Sequence, residues 1–243
     1  MYSHKKFSVT QRKRGEIYII TDKKKLTTLH IIVYISIFFA LWSIRELVIQ
    51  PVFLYPLNPI ASELIGAAIK LLVWTLPAIL LIRYFHKDMW IDLKEMFTSK
   101  IQWSRDYYIL LAIIIVPIAQ FIRAWLASGE FGLNPDIVPI RLVGAVLFVG
   151  ITEEIVFRGF LLNAFLKKMK TEYAIALDAV LFTLIHYPIW IYRGFEVFDI
   201  ATASIQVAII SVGFAYSFIK TRNILVPIAL HMVWNLSIHL FVR

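Results

Sequence analysis

The 243-residue chain is 60% hydrophobic and 17% charged, with a mean hydropathy of +0.74, whereas soluble domains run at about 45–50% apolar and about 25% charged. An ordinary soluble domain is therefore excluded, and the absence of cysteine excludes disulfides, thiolate nucleophiles and Cys-ligated metal. The formal charge of +9 would suit nucleic acid, but the basic residues lie mostly in short segments between apolar runs, the positive-inside pattern of a membrane protein, and no nucleic-acid motif accompanies them.

The apolar runs are continuous rather than alternating, which predicts an all-α polytopic transmembrane helical bundle and not a barrel. Residues 1–28 read as a basic cytoplasmic tail. The run 29–49 is too long for a signal-peptide core and lacks a small-residue cleavage site, so it reads as a signal anchor, with Arg45 and Glu46 near its outer end. Further runs at 61–84, 107–126, 138–165, 173–191, 200–219 and 224–242 are each near spanning length, giving about seven spans in one membrane domain over 29–243. Between the second and third, residues 88–106 mix Met89, Trp90, Ile91, Met96 and Trp103 with charges and read as an amphipathic surface helix on the cytoplasmic face. In the fifth span Pro188 biases Tyr187 away from helical angles, so that helix is expected to end early. Of the lysines and arginines, eighteen fall in the tail and in the segments 83–105, 167–170 and 220–222, against four on the opposite side. That asymmetry predicts a cytoplasmic amino terminus and an external carboxyl terminus.

The fourth run contains Glu153-Glu154-Ile155-Val156-Phe157-Arg158-Gly159. Ionisable side chains at membrane depth are expensive and mark function by default. On a helix Glu154 and Arg158 share a face and can pair, while Glu153 points about 100° away and is left without a partner, as a general base would be. The fifth span carries His186 and the seventh carries His231 and Asn235, which are one turn apart and address the same point. Singly, each is best read as a packing residue, as are Asp178, Lys70, His239, Asn163 and Gln120. In combination, a spare carboxylate, two histidines and an amide supply a base and several hydrogen-bond donors, a hydrolytic kit.

The order Glu-Glu-x-x-x-Arg, Phe-x-x-x-His and His-x-x-x-Asn on separate apolar helices resembles the CAAX-protease and bacteriocin-processing family of intramembrane endopeptidases, which includes the type II CAAX prenyl endopeptidase. The resemblance covers roughly 138–235 and implies a protease-like core at about 138–242. It implies Glu153 as general base assisted by His186, His231 and Asn235 as oxyanion donors, and Glu154 with Arg158 as the supporting pair. The implied substrate is a membrane-associated protein or peptide. Family members act on prenylated CAAX termini, or on small peptides in bacteriocin processing and self-immunity. A bacterial plasma membrane is the expected location.

No cofactor is expected, since an Asn suits an oxyanion better than a metal. The alternative is zinc on Glu153, His186 and His231, a two-His, one-carboxylate set with an open position for water. Two other functions compete: a proton-coupled transporter component using the same residues as a relay, against which stands the lack of an inverted repeat, and a noncatalytic immunity or scaffold protein.

Overall fold

A computed structural model describes residues 25–129, 132–134 and 137–241. The expected basic tail lies, apart from its last four residues, outside the described residues. The described chain runs through α1 (Thr28–Leu54), α2 (Pro59–Tyr84), the short α3 (Leu93–Thr98), α4 (Trp103–Ser128), α5 (139–166), α6 (Thr171–Tyr192), α7 (Val197–Thr221) and α8 (Leu225–Phe241). No strand occurs among the described residues. Five helices, α1, α2, α4, α6 and α7, are long and apolar enough to cross a membrane. The other two expected spans are α5, which carries three ionic side chains within it, and α8, with 17 residues. The all-α membrane bundle stands as expected.

Local chemistry sets the boundaries. Thr27 caps α1 by accepting from the His30 amide, and the His30 ring accepts from the Thr27 amide in return. Asn58 caps α2 just ahead of Pro59, and Asp92 caps α3 through the Glu95 amide. These side chains satisfy amides that a helix start leaves without a partner. Gly129 ends α4 in the left-handed region, at φ 71°, where glycine escapes the Cβ penalty.

The helix α5 is the axis of the bundle. Every side chain from Ile155 to Leu162 is buried, against Phe38 and Trp42 of α1, Ala78 and Ile82 of α2, Phe182 of α6 and Phe218 of α7. The outward faces of the surrounding helices carry large apolar residues such as Ile32, Ile37, Leu111, Ile115, Ile205 and Ile209, as a lipid-facing surface requires. Along α5 the α-helical turns alternate with π-helical ones at Val143–Phe148 and Ile155–Leu162.

One local expectation needs correction. Residues 88–106 do not form one surface helix: only Leu93–Thr98 is helical before α4 begins at Trp103, and Met89, Ile91 and Met96 are buried in the core. The physical reason is a clasp. The Asn163 side chain accepts from the Ile91 amide and donates to the Ile91 carbonyl, while the Asn163 carbonyl accepts from the Trp90 amide. Further on, the Met96 carbonyl takes the Ile224 amide. The segment is thereby stitched into the bundle instead of lying on it. Arg45 and Glu46, expected near the outer end of the first span, lie in the second half of α1, buried and paired with each other.

Helix α6 behaves as Pro188 predicts. Its first part, Thr171–Leu184, stops short, and a second part, Tyr187–Tyr192, restarts with Pro188 in its first turn, where a missing N–H costs nothing. His186 sits at the joint.

Candidate active site

The two adjacent carboxylates face different surroundings, as their helical spacing predicts. Glu154 and Arg158 are fully buried and paired at 3.0 Å. The same Glu154 oxygen also accepts from Nδ1 of His231 at 2.8 Å, so one carboxylate ties α5 to α8. Arg158 reaches further: it donates to the Ser211 carbonyl at 3.0 Å and hydroxyl at 2.6 Å, lies 3.4 Å from Asp178, and stacks over the Phe182 ring at 4.5 Å. A guanidinium has the donors for this many partners in one plane. It therefore joins α5, α6 and α7 through a single side chain.

Glu153, in contrast, is buried beside a cavity. It lines a cavity of about 460 Å³ together with His186 and Asn235. Its Oε2 has no hydrogen-bond partner among the described residues and lies 3.8 Å from Nε2 of His231. His231 thus has one nitrogen on Glu154 and the other aimed at Glu153, while its ring is held by Phe214 at 5.0 Å and Phe182 at 5.8 Å. One turn on, Asn235 donates to the Ala145 carbonyl at 2.9 Å. An amide nitrogen carries two hydrogens, so a second remains for another acceptor.

His186 is oriented by its place at the break in α6. Its Nδ1 lies 2.9 Å from the Phe182 carbonyl. A carbonyl only accepts, so the proton is on Nδ1 and Nε2 carries the lone pair. The ring sits between Phe182 and Trp190. The structure therefore brings Glu153, His186, His231 and Asn235 together, with Glu154 and Arg158 behind them.

The zinc alternative would draw on Glu153, His186 and His231. Zinc requires its donors at about 2.0–2.2 Å from one point. Among the described residues no group of three or more His, Asp or Glu side chains is gathered in that way.

Sequence reasoning passed over several charged residues here. Arg45, Glu46 and Lys70 line the same cavity, and Lys70 is a buried ammonium within electrostatic reach of Glu153. Asp178, set aside as a packing residue, is the second carboxylate on Arg158. The signal for all four was present, since each is ionisable within a span. The sequence separation that hides their proximity is large, and no spacing rule connects residues 45, 70 and 153.

No curated protein and no solved structure matches the chain. Residues 135–237, however, match a family model described as type II CAAX prenyl endopeptidase Rce1-like. That stretch contains every motif position, from Glu153 to Asn235. The resemblance read from the motifs is borne out over this segment, which is similar to the Rce1-like type II CAAX prenyl endopeptidases.

Proposed function

We propose that this protein is an intramembrane endopeptidase that hydrolyses a peptide bond of a membrane-associated protein or peptide, with Glu153 as general base. A water in the cavity gives its proton to Glu153 as its oxygen adds to the substrate carbonyl carbon. His186, through the lone pair on Nε2, accepts the second hydrogen of that water and so fixes its orientation. The oxyanion is held by the remaining amide hydrogen of Asn235, with the His231 ring beside it. Glu153 then passes the proton to the leaving amine, which breaks the C–N bond. General-base help is worth about 10²–10⁴ in rate, and each oxyanion donor about 10²–10³.

The observation that carries this reading is the division of labour between neighbours. Glu154 is tied through one oxygen to Arg158 at 3.0 Å and to His231 at 2.8 Å, whereas Glu153 comes no nearer than 3.8 Å to His231 and lines a cavity shared with His186 and Asn235.

The test is cleavage of fluorogenic and membrane peptides by detergent-purified protein, with Glu153→Gln, His186→Ala and His231→Ala beside the wild type. Loss of cleavage in all three, with unchanged elution and melting, is expected. Wild-type cleavage by Glu153→Gln would overturn the mechanism.

A further inference from the structure

Among the described residues, the walls of the cavity beside Glu153 come from one end of the bundle, and that end is identifiable. Glu153 lies about midway along α5, 14 residues from Pro139 and 13 from Leu166, or roughly 20 Å from each end at 1.5 Å per residue. The cavity wall is drawn from one half of each helix. It uses Arg45 from the second half of α1, Arg123 from the end of α4, Ala145 from the start of α5, Ala203 from the start of α7 and Ile238 from the end of α8. Past α6, Arg193 and Phe195 line its mouth. All of these belong to the end that carries the connections 55–58, 129–138 and 193–196.

Toward the other end the way is filled. Below Glu153 lie Val156, Phe157, Phe160 and Leu161, each no more than 1% exposed. Below these is the clasped segment, with Met96 and Ile82 packed against Gly159, Trp90 against Phe218, and Asn223 donating to the Ser99 carbonyl. Arg105 donates to the Lys220 carbonyl, and Lys168 to the Leu26 carbonyl. This filled end is the one with the basic segments 83–105, 167–170 and 220–222, which the positive-inside rule assigns to the cytoplasm.

We infer that the cavity admits substrate from the non-cytoplasmic side, so that the peptide bond cut belongs to an exported peptide or to the external part of a membrane protein. The inference rests on the peptidase reading for the word substrate, but the direction of access stands on geometry and charge alone. A chain confined to the cytoplasmic leaflet would meet the packed aromatic floor, not Glu153.

The sequence has no cysteine, so single cysteines can be placed without background. The experiment introduces Ala203→Cys in the cavity wall and, separately, Lys167→Cys at the packed end, and exposes intact cells to a charged, membrane-impermeant maleimide. Gln206→Cys, on the same wall, replaces Ala203→Cys should that variant fail to accumulate. The expected result is labelling of the cavity cysteine in intact cells and of Lys167→Cys only after permeabilisation. Labelling of the cavity cysteine only after permeabilisation, or not at all, overturns the inference. So does labelling of Lys167→Cys in intact cells. None of these readouts uses peptidase activity, so loss of the enzymatic reading and loss of the access reading are told apart.

Discussion

Replacing Arg158 by methionine removes the one side chain that joins three helices around the site. The variant loses the pair with Glu154, both hydrogen bonds to Ser211, the contact with Asp178 and the stacking on Phe182. Two fully buried carboxylates are then left without their cation. Breaking a buried pair by removing one partner costs about 3–5 kcal/mol, against a total stability of about 5–15 kcal/mol for a typical protein. About a fifth of the stability or more should therefore disappear. Arg158→Lys should lie between, since an ammonium keeps the charge but cannot reach Glu154, Ser211 and Asp178 together. The triple variant Arg158→Met, Glu154→Gln, Asp178→Asn removes the stranded charges and should recover part of the loss. The assay is thermal unfolding in detergent followed by tryptophan emission, the chain having seven tryptophans. If Arg158→Met melts with the wild type, or the triple variant melts no higher than the single one, the reasoning about this network fails.

Other consequences follow from the same geometry. Asn235→Ala should lower kcat by about 10²–10³ with little change in KM, since an oxyanion donor acts only as charge develops; an effect confined to KM would contradict its role. Glu154→Gln should reduce kcat while Glu153 stays in place, because His231 loses the charged half of its hold, and a variant of wild-type kcat would show the contact to be incidental. Strong chelators should leave cleavage intact, whereas inactivation reversed by added zinc would restore the metal alternative. Asn163→Ala should destabilise the fold by about 1–3 kcal/mol for each backbone group of Ile91 left without a partner, read as a lower melting temperature in detergent.

What was legible in the sequence was the chemistry that periodicity can reach. Helical spacing alone separated Glu153 from Glu154 and put His231 and Asn235 on one face, and the structure keeps both relations. The apolar runs marked the helices because lipid leaves the backbone no other solution. Contacts between distant segments were not legible. Nothing local announces that Asn163 would hold the backbone at Ile91, 72 residues away, and without that clasp the mixed apolar and charged stretch 88–106 reads naturally as a surface helix. Asp178 illustrates the same limit: it was visible as an ionisable residue in an oily span, but its partner Arg158 lies on another helix and no spacing names it.

The wide turns within α5 carry a consequence for how this helix tolerates length changes. A π-helical stretch such as Ile155–Leu162 behaves like an α-helix into which an extra residue has been fed. Losing one residue there would let the turns tighten to α-helical ones, so the change is absorbed locally, with Asn163 kept near Ile91 and Glu153 on its cavity. A deletion from an α-helical stretch would instead rotate everything downstream by about 100°. The helix thus carries its slack between its reactive half and its anchoring half.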